Sequence, residues 1–210
     1  MDNKKRFDII KIFYRNKNIF NTELIFSSSF ECLVSVILSA KSTDIRVNQA
    51  TKKLYAIANN PKDILSLGLI RLTSYINSIG LYNSKAKNII NLCTILVNQY
   101  QGNVPNDRIK LERLPGVGRK TANVVLNLIF NWSTIAVDTH VFRVSNRIGI
   151  VTGKTVLEVE RKLLSYIPMY FIEYVHYWFI HHGRYVCIAR KPKCNICCVR
   201  CLCEFNNKII

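Results

Sequence analysis

Four cysteines near the C-terminus have a spacing suited to chemistry. Cys187, Cys194, Cys197 and Cys203 follow the pattern C-x6-C-x2-C-x5-C. One compact loop with that spacing can wrap a single metal centre. Zinc sites more often use paired CxxC units set farther apart, whereas four thiolates around a cubane iron–sulfur cluster fit this spacing well. Cys198 and Cys201 leave an alternative open, because Cys194, Cys198 and Cys201 also form a possible ligand set. Cys32 and Cys93 lie in apolar helical stretches and read as core residues. The loop between the first two cysteines carries Arg190, Lys191 and Lys193. Held by a metal, it is a rigid phosphate contact; without that role, it is a solvated charged loop.

The second chemical feature is residues 114–122, Leu-Pro-Gly-Val-Gly-Arg-Lys-Thr-Ala. They read as two short helices joined by a glycine turn. Asp107 caps the first, which is expected to run to about Leu114 before Pro115 stops it. Gly116 and Gly118 are expected to permit positive φ and to let another molecule approach the backbone. The second helix starts near Arg119 and places Ala122, Val125, Leu126 and Ile129 on one face. Such a turn aims a helix N-terminus outward, which suits a phosphate. This is the helix-hairpin-helix pattern of sequence-independent DNA binders; the alternative is an ordinary helical turn. Lys120 sits at the start of the second helix. A lysine there is ordinarily a phosphate cation, unless burial and the helix dipole lower its pKa enough to make it a nucleophile. Asp138 marks another helix start and is an N-cap that could also present a carboxylate to a sugar. His140 follows it closely as a DNA-contact candidate. Glu112 is a weaker carboxylate candidate, and His176, His181 and His182 read as packing or surface residues.

Thirty Lys plus Arg against thirteen Asp plus Glu leave a net charge of +17 over 210 residues. That excess implies a polyanionic partner, and the hairpin favours nucleic acid over a membrane. No signal peptide is expected, because Asp8, Lys11, Arg15 and Lys17 interrupt the start of the chain. The uncharged apolar stretches 32–40 and 174–180 are too short to span a bilayer. The expectation is a soluble intracellular protein, in which eight cysteines argue for metal rather than a disulfide framework.

The elements positioning these residues read as all-α. Residues 4–15 form an amphipathic helix with Phe7, Ile10 and Tyr14 inward. Ser28 and Glu31 make a capping box for a buried helix from Cys32 to Ala40. Thr43 or Asp44 caps a helix to Ala58, and short helices follow at about 62–67 and 69–77. Gly80 turns the chain. Ser84 is expected to cap a helix with Ala86, Ile89, Ile90, Cys93 and Val97 inward, ended by Gly102. After the hairpin, helices start at Asp138 and at the Thr155–Glu158 capping box, the latter closed by Pro168. An aromatic helix spans about 170–182. No convincing period-2 run appears.

Residues 114–122, then Val137-Asp138-Thr139-His140, then the 6-2-5 cysteine spacing, together resemble bacterial endonuclease III. Residues 81–85 and 182–185 extend the likeness over essentially the whole chain. The resemblance implies a two-lobed α-helical fold with a C-terminal [4Fe–4S] loop. One lobe is a six-helix unit at about 22–132, with the hairpin at about 108–127. The other joins 1–21 to 133–210 and holds the cluster loop 187–203. It further implies a monomeric, bacterial cytoplasmic enzyme of base-excision repair that associates with the nucleoid when acting. Double-stranded DNA lies across the cleft with a damaged pyrimidine flipped out. Expected substrates are oxidised pyrimidines, such as thymine glycol, and abasic sites.

By that resemblance Lys120 is the amine nucleophile at C1′, forming a Schiff base that permits β-elimination of the 3′ phosphate. Asp138 stabilises the oxocarbenium-like charge and assists proton transfer from the lysine. Cys187, Cys194, Cys197 and Cys203 hold the cluster. Gly116, Gly118, Arg119, His140, Arg190, Lys191 and Lys193 contact DNA. Lys41 and Leu81 are the wedges that fill the gap left by the flipped nucleotide. Lys41 departs from the family, since residues 39–44 read Ser-Ala-Lys-Ser-Thr-Asp where endonuclease III usually has Ser-Ala-Gln-Ala-Thr-Asp. An adenine-mismatch glycosylase is a rival, but its relatives lack the lysine and usually carry a further C-terminal domain. A non-catalytic DNA-binding module needs neither Lys120 nor Asp138.

Overall fold

In the computed structural model, the structure describes residues 1–16 and 22–208. The stretch 17–21, which the sequence reading assigned to the end of one lobe, lies outside them. Ten α-helices and one 3-10 turn make up the regular structure, with no strand among the described residues. The chain divides into two compact units, Met1–Thr22 with Ser133–Ile210, and Glu23–Trp132. Each has its own apolar core.

The Glu23–Trp132 unit is built on α2 (Ser29–Ser39). Every residue from Phe30 to Leu38 is buried, as expected for a helix apolar on all sides. Its start is a capping box in which Ser28 Oγ accepts from Glu31 N at 3.1 Å. The glutamate reaches one residue further back than the simple motif, accepting from Ser27 N at 2.6 Å. Around it pack α3 (Asp44–Tyr55), α5 (Tyr82–Tyr100) and α7 (Arg119–Phe130), while α4 (Pro61–Tyr75) lies on α5. Gly68 breaks α4 into two segments, in agreement with the two short helices expected there. α6 (Arg108–Glu112) leads into α7 and ends earlier than expected, with Arg113 as its C-cap.

The other unit assembles α1 (Asn3–Arg15), α8 (Thr139–Ile148), α9 (Val156–Tyr166) and α10 (Met169–Tyr185). α10 packs against α1 and α8, and α8 also packs against α9. The buried face of α1 is Ile9, Ile10 and Phe13 rather than Phe7, Ile10 and Tyr14. Phe7 is exposed and Tyr14 half-buried, because both face the edge of an aromatic cluster with Phe171 instead of the core. α10 runs through Gly183 to Tyr185, past the expected end, and delivers the chain directly to Cys187.

Candidate catalytic, DNA-contact and cluster sites

The hairpin turn is built from two anchored ends. Asp107 accepts from Lys110 N at 2.8 Å and starts α6. Leu111, Leu114 and Val117 are buried, and Val117 N donates to Leu114 O at 3.0 Å to close the turn. Gly116 has φ 79, which favours glycine, and a Cβ there would sit 3.1 Å from Asn88 Cβ, so the Asn88 side chain would have to shift by a few tenths of an ångström. Gly118 differs from expectation: its φ is −94, ordinary for any residue. A Cβ on Gly118 would meet nothing within 4 Å. Its contribution is therefore an uncovered backbone at the N-cap of α7, where it offers no side-chain cap. Ala122, Val125 and Leu126 anchor α7 in the core, and Ile129 is half-buried.

Lys120 is the second residue of α7 and is exposed. The burial expected of it is thus not supplied by the protein alone; the positive end of α7 is the feature beside it. Arg119 pairs with Glu112 at 3.7 Å, which gives Glu112 a partner on the hairpin.

Asp138, half-buried, is the N-cap of α8. Its Oδ1 accepts from His140 N at 2.9 Å and from Val141 N at 2.8 Å. Both cap bonds fall on Oδ1. His140 is half-buried, with Nδ1 3.2 Å from Arg143 Nη2. Arg143 in turn donates to Gly183 O at 2.8 Å and to Cys187 O at 3.1 Å.

Lys41 and Leu81 occupy facing turns in the Glu23–Trp132 unit, and both have left-handed backbone, φ 56 and φ 61. For side chains other than glycine that conformation costs about 1–2 kcal/mol each. Two contacts hold it. Lys85 is buried and its Nζ donates to Leu38 O at 2.8 Å and Ala40 O at 2.6 Å. Burial lowers the Lys85 pKa, and the two carbonyls at the end of α2 keep its ammonium solvated. Gly80 lies so close that a Cβ would stand 2.9 Å from Lys41 O. Both Lys41 and Leu81 side chains are exposed. The start of α5 differs from the sequence expectation. α5 starts at Tyr82, with Leu81 as N-cap, so Ser84 lies inside the helix instead of capping it.

The cysteine loop leaves α10 and closes on itself. Lys193 N donates to Val186 O at 2.9 Å, bringing the two ends of the basic loop together. Arg147 of α8 clamps the same loop, with Nη1 donating to Ile188 O at 2.7 Å and Nη2 to Ala189 O at 2.6 Å. Arg190, Lys191 and Lys193 are left exposed. A hollow is lined by Cys187, Cys194, Cys197 and Cys203, with Arg147 and His182 on its wall. Cys198 and Cys201 do not line it and are exposed. Among the described residues no three His, Cys, Asp or Glu side chains converge on one metal-ion position. Sulfurs spread around a hollow suit a polynuclear cluster, whose irons each take a different thiolate. Burial pushes the Cys197 thiol up to about 12 and the Cys203 thiol up as well, a cost that positive metal charge offsets when the thiolates are ligands.

Two side chains from neighbouring helices reach this loop: His182, read from the sequence as a packing or surface residue, and Arg147, which the sequence did not single out. His182 Nε2 lies 3.6 Å from Cys197 Sγ, and burial pushes its imidazole down to about 4, so it is neutral. Arg147 Nη1 lies 3.8 Å from Cys187 Sγ, and its carbonyl faces Cys203 Sγ at 3.6 Å.

Residues 34–169 match the family described as HhH-GPD superfamily base excision DNA repair protein. The chain is 56% identical over 208 residues to endonuclease III of Buchnera aphidicola subsp. Schizaphis graminum, covering 99% of this chain and 100% of the relative. The chain belongs to the endonuclease III family. It is 54% identical over 209 residues to endonuclease III of Escherichia coli K12, covering 100% of this chain and 99% of that protein. A solved structure of a trapped endonuclease III–DNA covalent intermediate matches with a TM-score of 0.91 at 41% identity, over 97% of this chain and 96% of that one. Endonuclease III family membership makes this chain a base-excision DNA repair protein with the helix-hairpin-helix glycosylase fold. No described helix is long and apolar enough to cross a membrane.

Proposed function

We propose that this protein is a bifunctional DNA glycosylase and abasic-site lyase that removes oxidised pyrimidines from duplex DNA. The observation that carries this reading is an exposed lysine at the second position of a hairpin helix whose N-cap is a bare glycine. Backbone amides there bind a phosphate, and the lysine beside them reaches the adjoining sugar. Lys120 Nζ attacks C1′ as the base leaves with its bonding electrons and a proton. Ring opening yields an imine between Nζ and C1′. Loss of a C2′ proton then expels the 3′ phosphate, and water releases the lysine. Asp138 is the carboxylate proposed for proton transfer and for stabilising the positive charge on the sugar. DNA covering Lys120 supplies the desolvation that the free protein lacks. The work is that of a monomer in the cytoplasm, on the nucleoid.

Duplexes carrying thymine glycol, 5-hydroxycytosine, uracil or an abasic site test this reading. Strand nicking at the first two and the fourth, with borohydride trapping protein on DNA, is the expected result. Binding without nicking at any of them would leave only a DNA-binding module.

Cys187, Cys194, Cys197 and Cys203 would hold a [4Fe–4S] cluster, which supplies a rigid core to which both ends of the basic loop are tied. Arg190, Lys191 and Lys193 then meet phosphates from a fixed frame. Serine at any of the four is expected to remove iron and solubility together. Serine at Cys198 or Cys201 is expected to leave the yellow-brown colour intact. Iron lost from Cys201→Ser would reassign the ligands, and a colourless zinc protein would remove the cluster from the proposal.

Lys41 and Leu81 are the proposed wedges, with Gly116, Gly118, Arg119 and His140 along the backbone. A lysine ammonium only donates hydrogen bonds, where a glutamine amide also accepts, and its charge is costly between bases unless it reaches a phosphate. Binding of an abasic duplex is therefore expected to be more salt-dependent than in Lys41→Gln, by up to about one phosphate's worth of slope, ~0.9. Parallel salt titrations measure it, and equal slopes would place Lys41 in solvent.

A further inference from the structure

We propose that Cys198 and Cys201 form an oxidant-responsive dithiol that closes a disulfide within the cluster loop by exchange with a small-molecule disulfide such as oxidised glutathione. The proposal rests on the assignment of the other four loop cysteines to the cluster. Three observations carry it. Both residues are exposed, and neither lines the hollow formed by Cys187, Cys194, Cys197 and Cys203. They lie on two overlapping hydrogen-bonded turns, Cys198 in the one closed by Arg200 N donating to Cys197 O at 3.1 Å and Cys201 in the one closed by Leu202 N and Cys203 N donating to Val199 O at 3.0 and 2.9 Å. Val199 between them is fully buried, which anchors the turn from its inner side.

Residues three apart on a helical turn share a face, with Cβ atoms about 5–6 Å apart. A disulfide needs about 3.5–4.5 Å between Cβ atoms and accepts about 4.4–6.8 Å between Cα atoms. A small tightening of the turn therefore brings the two sulfurs together. Cys197 and Cys203 flank the pair, so cluster binding holds both ends of the turn and keeps the two thiols close. The closed loop is only four residues long, and its closure entropy is small.

The exchange balances without another reagent. A thiolate of the pair attacks the small disulfide, breaks its S–S bond and expels one small thiolate. The second cysteine's thiolate attacks the protein sulfur of that mixed disulfide and expels the other. Two protein S–H bonds are lost, two small-molecule S–H bonds form, and the small disulfide is the species reduced. The cluster thiolates take no part, so the loop absorbs an oxidising equivalent without giving up a ligand.

The test exposes the cluster-loaded protein to oxidised glutathione while its visible absorption is followed. Samples are then denatured in an alkylating reagent and mapped by mass spectrometry after trypsin, which cuts between Arg200 and Cys201. The wild type should lose two hydrogens per chain, retain no glutathione, keep its colour, and show the 198–201 crosslink joining two tryptic peptides. Cys198→Ser and Cys201→Ser, both at exposed positions, should each retain one glutathione per chain on the remaining cysteine. Two glutathiones per wild-type chain, or no reaction at either cysteine, would overturn the dithiol alone. A disulfide at any of the four cluster cysteines with bleaching would overturn it too. Loss of colour in Cys201→Ser before oxidant is added would make Cys201 a ligand, overturning the ligand assignment and the dithiol together.

Discussion

Lys120→Ala is expected to abolish borohydride trapping on an abasic duplex and to lower strand cleavage by about four orders of magnitude or more, the scale on which an enzyme loses its nucleophile. Lys120 is exposed, so no packing is removed. Alanine is the best helix former, so α7 retains its start. Arg119 keeps its pairing with Glu112, and Gly116 still shapes the turn against Asn88. The hairpin amides that bind phosphate are untouched, and duplex affinity should fall by no more than one lost phosphate contact, within about tenfold. The measurement is a pair of assays on one protein sample, affinity by titration and covalent capture by gel. Wild-type crosslinking in the alanine variant would remove Lys120 from the chemistry. A parallel collapse of binding would mean instead that the lysine is chiefly a phosphate cation.

What could be read in the sequence was whatever is encoded locally. Ser28 with Glu31, and Thr155 with Glu158, satisfy their own helix ends within four residues, and both caps form in the structure. Gly68 divides α4 because a residue with φ 75 cannot continue a helix. The buried α2 was legible because a helix apolar on every side has only one place to go. Errors came where a neighbour distant in sequence decides. Ser84 looked like an N-cap, but Lys85 reaches 47 residues back to Leu38 O, and α5 starts at Tyr82 instead. Gly118 looked conformational, yet the positive φ falls only on Gly116 of that pair, the position pressed against Asn88. Facing of α1 was misjudged because Tyr14 and Phe7 have aromatic partners on α10 that no periodicity within α1 reveals. The same holds at the cysteine loop. Spacing alone left two ligand sets open, and the hollow lined by Cys187, Cys194, Cys197 and Cys203 favours one. Arg147 and His182 act on that loop from 40 and 15 residues away, where no spacing rule reaches.

Asp138→Asn is expected to separate two roles of one side chain. As an N-cap, asparagine is about as good as aspartate, because a single carbonyl oxygen can accept both N–H groups. Here both cap bonds, from His140 N at 2.9 Å and Val141 N at 2.8 Å, fall on Oδ1. The asparagine oxygen can take over both with no change in backbone. What is lost is the negative charge at the positive end of α8, about 0.3–1 kcal/mol of stability. Thermal unfolding should therefore move by only a few degrees. Catalysis should respond on another scale. Without the carboxylate proposed for proton transfer and charge stabilisation, single-turnover cleavage should slow by about two to four orders of magnitude. At 1.36 kcal/mol per decade that is about 3–5 kcal/mol, several times the stability change. Asp138→Ala is the complement, since it should match the catalytic loss and add about 1 kcal/mol of destabilisation from the lost cap. The pair is read by stopped single-turnover cleavage of thymine glycol duplex beside thermal melts of the same preparations. Asparagine at wild-type rate, with alanine destabilised, would leave Asp138 as the cap of α8 and nothing more.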